Sequence, residues 1–299
     1  MRIDCEIPVS LLGSTANDSS NKWDLIIEAH SQWWNIHLRE IWSYRDLLWL
    51  FVWRDFVSVY KQTILGPLWF FIQPLLTTLV FTAIFSGVAN MPTDGVPAML
   101  FYLAGTTPWN YFSTCLNKTS NVFISNSAVF GKVYFPRLIV PLSIVASNMV
   151  QFFIQFLLFM GFFVYYLAIG TPLHPNWWGI AILTPLLLIL MAGLGLGMGI
   201  IISSLTTKYR DLSFLVGFGV QLMMYATPVI YSMSALPLKY RMIISINPIS
   251  SLIETFRSIY LGGPIPWFYL NISMVTTTVL LLLGVVIFNR IEKSFVDVV

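Results

Sequence analysis

Very few residues of this chain have a type and spacing that could do chemistry near its long apolar segments. Glu254 and Arg257 come closest, and because they are three residues apart they share one face of a helix. Such a pair is either a local structural contact or a contact at a gate. The cores of the apolar segments contain no Asp, Glu, Lys or Arg, whereas charges inside a membrane usually mark ion-coupled transport or catalysis. The sequence therefore argues against a carrier driven by protons or sodium ions.

Other kinds of chemistry lack their residues as well. No His, Ser or Cys constellation suggests a membrane enzyme, so we predict no catalytic residue. Cys5 and Cys115 have a spacing that suits no metal site, and both fall on the cytoplasmic or membrane side of the predicted topology, so they form no disulfide framework. The phosphate-binding pattern GxxxxGK followed by Ser or Thr is absent, and Gly131-Lys132-Val133 does not replace it. We expect no cofactor and no metal in this chain, so active transport would need an energy source on another chain.

Composition indicates an integral membrane protein. Of the 299 residues, 57% are hydrophobic and only 10% are charged, against about 25% charged in a soluble domain. Lipid must therefore cover much of the surface. The net charge of +3 is small, and its placement indicates orientation in a membrane rather than nucleic-acid binding.

Six segments are predicted to span the membrane as helices, and basic residues orient them. The predicted spans are 66–88, 97–117, 138–167, 177–205, 213–232 and 268–289. With both termini in the cytoplasm, thirteen of the sixteen Lys and Arg residues are cytoplasmic, and only Lys239, Arg241 and Arg257 lie outside. Pro74 should kink the first span. The polar turn 105–110 of the second span should face protein or water.

The remaining segments are predicted to be a tail, a surface helix, a cytoplasmic helix and a re-entrant segment. Residues 1–35 read as an N-terminal tail that precedes a transmembrane domain over 36–299. Residues 44–61 mix tryptophans with charges and predict an amphipathic helix on the inner membrane surface, or else a simple soluble helix. Residues 118–137 should contain a short helix that ends at Gly131.

The segment 233–267 contains too many prolines to span, yet it is too apolar for an ordinary loop. We predict one or two short helices that dip into the outer leaflet and return. Asn247 and Pro248 have the pattern of a helix N-cap followed by proline at the first helical position. Gly262 and Gly263 should end that helix. Leu252, Phe256, Ile259 and Tyr260 should share one of its faces.

Two further patterns concern packing and a possible pathway. Gly193, Gly195, Gly197 and Gly199 permit close approach of helices, either within one subunit or at a dimer seam. Most aromatic residues should be anchors or packing residues. Five of them could line a pathway for sugars, because sugar C–H groups stack on aromatic faces: Trp69, Phe70, Phe71, Tyr225 and Tyr231.

Six motifs occur in an order and spacing that resemble a known family. They are YKQTILGPLWFFIQPL (60–75), PWNYF (108–112), KVYFPRLIVPL (132–142), YRDLSFLV (209–216), ATPVIYS (226–232) and INPISSLIETFR (246–257). Together they resemble the transmembrane permease subunit of ABC exporters of lipid-linked polysaccharide, of the O-antigen, capsule and teichoic-acid type. The resemblance runs from about residue 35 to the C-terminus.

The resemblance implies an all-α membrane protein in the bacterial inner membrane, with six spans, a surface helix, a cytoplasmic coupling helix and re-entrant outer helices. It implies a homodimer that binds two copies of a separate ATPase, which carries the ATP and Mg. Spans one and five would line a channel for undecaprenyl-pyrophosphate-linked polysaccharide, with membrane lipids around it and no nucleic acid as partner.

The resemblance also assigns residues to roles in such an exporter. The substrate entrance would use Arg54, Tyr60 and Lys61, although plain anchoring by inside-positive charge is an equal alternative for the two basic residues. Coupling to the ATPase would use the helix over 119–131 with Val122, Phe123 and Phe130, and a second loop with Tyr209, Arg210 and Asp211. The outer gate would use Asn247, Pro248, Glu254 and Arg257.

Two other function classes are open at this point. A permease of the same fold could export drugs or lipids, through a narrower pathway with fewer aromatic residues. A membrane scaffold without transport activity is the third class, and ATP hydrolysis stimulated by the chain in a reconstituted complex would exclude it.

Overall fold

The computed structural model describes residues 42–61, 64–130, 135–209 and 211–294, without the side chains of 59, 60, 67 and 291–294. Helices make up most of this part of the chain. In chain order they are α1 (Arg45–Tyr60), α2 (Trp69–Phe81), α3 (Ala98–Ser120), α4 (Val122–Ser125), α5 (Ser127–Phe130), α6 (Ile139–Ala168), α7 (Trp177–Thr206), α8 (Leu212–Tyr225), α9 (Leu238–Ile246), α10 (Pro248–Leu261) and α11 (Trp267–Ser294). The predicted tail 1–35 lies outside the described residues.

Four helical segments of the described chain are long and apolar enough to cross a membrane. They are Trp69–Val88, Ile139–Ala168, Trp177–Thr206 and Trp267–Arg290, and they coincide with predicted spans one, three, four and six. The multi-pass membrane character predicted from composition is thereby confirmed. Predicted span two corresponds to α3, which is more polar than the four spanning helices. Predicted span five corresponds to α8, which is shorter, with 14 residues.

The fifth predicted span is wrong in its outer part. We predicted a helix over 213–232, but α8 has 14 residues and ends at Tyr225, so it is only about 21 Å long. The reason is local, because Pro228 disfavours helical geometry at the residue before it. Residues 226–231 form a turn instead. Such non-helical backbone is tolerated at membrane depth only where protein buries it or where it lines a water-filled cavity.

The first predicted span also changes its geometry. Helix α2 continues as a π-helix over Thr82–Val88, a form that the sequence analysis did not foresee and that often occurs near functional sites. Pro74 lies inside α2 and is buried; the kink there stays a prediction.

The predicted helix over 119–131 is wrong as a single element. Helix α3 runs on to Ser120, and two helices of four residues, α4 and α5, follow it with a turn at Asn126. Asn126 donates its side-chain amide to the Val122 carbonyl at 3.0 Å, and this local bond competes with a continuous helix. Gly131, the predicted helix end, lies outside the described residues.

Short helices occupy the segment 233–267 as predicted, whereas their entry into the outer leaflet stays a prediction. Two helices, α9 and α10, occupy the segment, and Asn247 and Pro248 occupy the N-cap and first position of α10. The Asn247 side chain makes no capping hydrogen bond. Gly262 ends α10 with a φ of 99°, which only glycine adopts without strain. The predicted face Leu252, Phe256, Ile259 and Tyr260 is fully buried.

Helix α10 is the centre of the largest apolar core, where it packs against α3, α7 and α11. The Thr184 and Tyr260 hydroxyls are 3.0 Å apart and join α7 to α10, and the Ser251 and Ser273 hydroxyls, 2.5 Å apart, join α10 to α11. Helix α10 is therefore part of the fold's interior, whereas α9 has only Ser245 buried and lies on the surface.

The glycines of α7 serve packing within one chain. A Cβ on Gly197 would lie 2.9 Å from backbone atoms of Leu280 and Leu281 on α11, and a Cβ on Gly199 would lie 2.6 Å from Thr119 on α3. Both distances are below 3.0 Å, which real Cβ atoms essentially never show, so a side chain at either position would force the helices to shift. The glycines thus bring α7 against α3 and α11, as the first of the two interpretations of this pattern predicted.

Candidate functional site

Arg257 on α10 holds together three parts of the chain that are far apart in sequence. Its side chain is 5% exposed. It donates from Nη1 to the Pro228 carbonyl at 2.5 Å and to the Tyr231 carbonyl at 3.3 Å, and from Nη2 to the Val229 carbonyl at 2.6 Å. These carbonyls belong to the turn that replaces the outer end of the fifth predicted span.

This geometry explains how an open turn can lie inside a membrane protein. Its carbonyl groups have no helical partners, and an unpaired buried carbonyl is costly. A guanidinium with a rigid fork of donors satisfies several carbonyls at once, and its positive charge also suits the carbonyl end of α8. Arg257 therefore acts as a staple between α10 and the turn 226–231.

Helix α3 packs against both Arg257 and the turn 226–231. The Arg257 guanidinium carbon lies 3.9 Å from the centre of the Phe101 ring, which is a close cation–π contact. A Cβ on Gly105 would lie 2.5 Å from Nη2 of Arg257 and 2.6 Å from the Val229 oxygen. Residues 105–109 are all buried, so the prediction that the polar turn of this helix faces protein is confirmed.

Glu254 contributes less than the carbonyls do. Its Oε2 atom lies 4.0 Å from Nη1 of Arg257, at the limit of an ion pair. Burial raises the pKa of the Glu254 carboxyl, and the neighbouring Arg257 opposes this rise. Burial also lowers the pKa of Arg257 to about 10, so the guanidinium stays charged at neutral pH. The two residues do meet, as their spacing predicted, but Arg257 is held mainly by backbone.

A second set of contacts holds the residues that directly follow the turn 226–231, and the sequence analysis missed it. Asp94, in the connection between α2 and α3, accepts hydrogen bonds from the hydroxyls of Ser232 and Ser234. Arg241 donates to the Ser234 carbonyl at 3.0 Å. The available signal was a lone acidic residue in a short loop together with two serines directly after ATPVIY.

Helices α2 and α8 expose more of their surface than the other long apolar helices do. On α8 only Val220 is buried, and the side chains exposed on one face are Phe214, Phe218, Gln221 and Tyr225. On α2 and its extension only Pro74 and Thr78 are buried. One of its faces exposes Trp69, Gln73, Leu76 and Val80. We call these sets the α8 stripe and the α2 stripe.

Each stripe contains one glutamine among large apolar side chains. An amide that faced hydrocarbon would lose its hydrogen bonds with water, at a cost of about 2–7 kcal/mol. Gln73 and Gln221 are both exposed in the single chain, so a lipid-facing position would be unfavourable for both. The stripes are better suited to water, to another protein surface or to a polar ligand than to lipid.

The predicted channel-lining aromatics are distributed unevenly over these surfaces. Trp69 is 50% exposed and Tyr225 is 58% exposed, and each belongs to a stripe. Phe70 and Phe71 are half-buried and lie outside the α2 stripe. Tyr231 is half-buried, and its carbonyl accepts from Arg257. Phe214 and Phe218, which we did not predict, are 83% and 60% exposed, more than any of these five.

The predicted entrance residues are in different situations. Arg54 donates to Asp55 Oδ1 from Nε at 3.0 Å and from Nη2 at 2.7 Å, and its guanidinium lies 4.8 Å from the centre of the Phe51 ring. Part of the donor fork expected for a pyrophosphate is therefore already occupied. Lys61 follows α1 and is exposed. Tyr60 ends α1, and its side chain lies outside the described part.

The predicted coupling residues are inside the chain rather than on its surface. Val122, Phe123 and Phe130 are 0%, 1% and 7% exposed. Their burial contradicts our expectation that they present a docking surface. The segment instead exposes Ile124, Ser125, Ser127 and Ala128.

Aromatic rings connect this segment to the rest of the chain. Phe123 stacks on Phe288 of α11 with 5.0 Å between ring centres, and Phe130 stacks on Phe135 at 5.9 Å. Phe135 in turn lies 5.8 Å from Phe51 of α1. The segment 122–130 and helix α1 therefore share one apolar cluster.

The second predicted docking loop is exposed. Tyr209 is 52% exposed and lies 5.3 Å from the Lys208 ammonium group, measured to the ring centre. Asp211 precedes α8 and is exposed, without a capping hydrogen bond from its side chain. Arg210 lies outside the described residues.

Comparisons with known proteins agree with one another. Residues 46–261 match the model of the ABC-2 type transporter family. The chain is 31% identical over 254 residues to an O-antigen export system permease protein RfbA from Klebsiella pneumoniae, covering 85% of this chain and 95% of that protein. It is 28% identical over 231 residues to the protein of the same name from Myxococcus xanthus, covering 77% of this chain and 85% of that protein.

Proposed function

The chain belongs to the ABC-2 type transporter family, and we propose that it is the permease subunit of an exporter of O-antigen-like polysaccharide. The names of its relatives support this proposal. We further propose that six segments span the inner membrane, with both termini in the cytoplasm. The asymmetry of the Lys and Arg residues supports this orientation.

The observation that carries the proposal is the pair of exposed stripes on α2 and α8. They place aromatic rings beside an amide on each of two helices, which is a surface that suits a sugar chain. Aromatic faces stack on sugar C–H groups, and amides bond to hydroxyls. We propose that the stripes of two copies of this chain line a passage for an undecaprenyl-pyrophosphate-linked glycan.

A separate ATPase would drive the passage, with two copies bound to the cytoplasmic side. The exposed surface of 124–128 and the Tyr209–Asp211 loop are the proposed docking sites. The aromatic cluster around Phe123 and Phe135 supports a joint movement of the docking segment and α1. Arg257 would keep the outer turn fixed while α2 and α8 move.

Lys61 is proposed to meet the pyrophosphate at the cytoplasmic entrance, where a lysine contributes a point charge. Arg54 is proposed to act mainly by keeping α1 in place, because its contacts with Asp55 and Phe51 already use part of the guanidinium.

The test is glycan export in a strain that lacks this chain. We expect the polysaccharide to be lost from the cell surface and to return on complementation. Phe218→Ala and Gln221→Leu should each restore export poorly. Ile189→Ala, on an exposed apolar face of α7, is the matched control and should restore it fully. Normal surface glycan in the deletion strain would reject the polysaccharide assignment and favour a drug or lipid exporter of the same fold.

A further inference from the structure

Polar side chains line the contact between α3 and α6 on both sides. Asn110, Thr114 and Lys118 recur at every fourth residue of α3, and Asn148, Gln151 and Gln155 share a face of α6. We call these six residues the polar seam. Two hydrogen bonds join seam residues: Asn110 Nδ2 donates to Gln155 Oε1 at 3.2 Å, and Lys118 Nζ donates to Asn148 Oδ1 at 2.8 Å. Asn148 Nδ2 also donates to Sγ of Cys115 on α3, at 4.0 Å.

The seam has hydrogen-bonding groups that the described chain does not use. Among residues 42–61, 64–130, 135–209 and 211–294, no side chain bonds to the Thr114 hydroxyl or to the Gln151 amide. Both side chains are half-buried and line a shallow depression together with Asn110 and Gln155. Helix α6 is one of the apolar spans. Unpaired amides beside hydrocarbon are unfavourable, so a polar group from outside the chain should face them.

The charge at the seam is a single positive one. The Lys118 ammonium group has three protons and donates one of them to Asn148. Asp55 is close enough to interact with Lys118 electrostatically, but it forms its ion pair with Arg54 at 2.7 Å. Lys118, Arg54 and Asp55 together therefore carry a net charge of one, which matches a phosphodiester better than a pyrophosphate.

The depth of the groups fits the parts of a lipid. Lys118 is two residues from the end of α3 at Ser120, so it lies at the level of head groups on the proposed cytoplasmic side. Thr114 is one helical turn deeper, about 6 Å. In a diacyl phospholipid the ester carbonyls lie just below the phosphate, and they can only accept hydrogen bonds. The Thr114 hydroxyl and the Gln151 amide are donors at that depth.

We propose that the polar seam binds one anionic diacyl phospholipid of the inner leaflet, with its phosphate on Lys118 and an ester carbonyl on Thr114 and Gln151. The bound lipid is a resident component that joins α3 to α6, not the transported substrate. This proposal is independent of which molecule the chain exports.

The test uses the full-length protein, purified in detergent, and three amphiphiles. They are dioctanoyl phosphatidylglycerol, its ether-linked analogue without ester carbonyls, and geranylgeranyl pyrophosphate. Lys118→Gln should weaken binding of phosphatidylglycerol by about 10- to 100-fold, as expected for one lost charge-assisted hydrogen bond. Lys118→Arg should retain most of the binding. Lys208→Gln removes an exposed lysine of the same proposed side and should have no effect.

Gln151→Leu distinguishes the seam from a general attraction to positive charge. It should weaken binding of the ester lipid and leave binding of the ether lipid unchanged. This variant also tests the proposal if Lys118→Gln does not fold. Equal binding of phosphatidylglycerol by all variants would overturn the proposal. Tighter binding of geranylgeranyl pyrophosphate that depends on Lys118 would also overturn it, because the seam would then be a substrate site.

Discussion

Replacement of Gly105 by alanine tests whether Arg257 holds the turn 226–231 in the way the structure shows. The new Cβ would lie 2.5 Å from Nη2 of Arg257 and 2.6 Å from the Val229 oxygen, where no real Cβ is found. The backbone of Val229 cannot move without losing its bond to Arg257 at 2.6 Å. Alanine therefore has to separate the guanidinium from at least one carbonyl.

The expected loss of unfolding free energy follows from two opposing contributions. Loss of one hydrogen bond to a charged donor, with its carbonyl left buried, costs about 2–4 kcal/mol of unfolding free energy. Alanine gains about 1 kcal/mol over glycine from helix propensity. The net loss is about 1–3 kcal/mol, which should lower the midpoint of thermal unfolding by roughly 2–10 °C.

The assay is the fraction of purified protein that stays monodisperse after heating, measured in one detergent for all variants. Gly161→Ala is the matched control, because Gly161 lies in a long apolar helix and its Cβ would meet no atom within 4 Å. It should leave the midpoint unchanged or raise it. Equal midpoints for the two variants would show that Arg257 and the turn are free to rearrange, and our account of the staple would be refuted.

Three further predictions concern other parts of the chain. Gly197→Ala should cost about 1–3 kcal/mol of unfolding free energy, since its Cβ would meet the backbone of α11; a midpoint equal to that of Gly161→Ala would contradict this. Asp94→Ala should cost at most about 2 kcal/mol of unfolding free energy, because two serine hydroxyls lose their acceptor. An unchanged unfolding midpoint would argue against this contact. Ile124→Asp should abolish stimulation of the partner ATPase in a reconstituted complex without lowering the midpoint, and undiminished stimulation would reject the proposed docking surface.

Local rules predicted the parts of the fold that depend on neighbouring residues. Asn247 and Pro248 begin α10, and Gly262 ends it, because capping and the freedom of glycine act over a few residues. Apolar length likewise located four membrane-crossing helices. The same rules explain why α8 ends before Pro228, although we had extended that span to residue 232.

Features that depend on distant contacts could not be predicted from the sequence. The spacing of Glu254 and Arg257 suggested a pair, but nothing in it pointed to the carbonyls of 228, 229 and 231. The resemblance to the exporter family assigned Val122, Phe123 and Phe130 to coupling with the ATPase. Phe123 is buried because Phe288, far along the chain, stacks on it, and Phe130 is buried against Phe135. A single sequence does not show which of two apolar surfaces will find a partner inside the same chain.

The central claim is that the α2 and α8 stripes face a water-filled passage rather than lipid. The most direct measurement is labelling by a membrane-impermeant maleimide during ATP turnover of the assembled exporter, with Cys5→Ser and Cys115→Ala in the background. We predict that cysteines introduced by Gln73→Cys and Gln221→Cys are labelled, whereas that of Ile189→Cys is not. Labelling of neither stripe position above the Ile189→Cys level would place both stripes against lipid or protein and contradict the account.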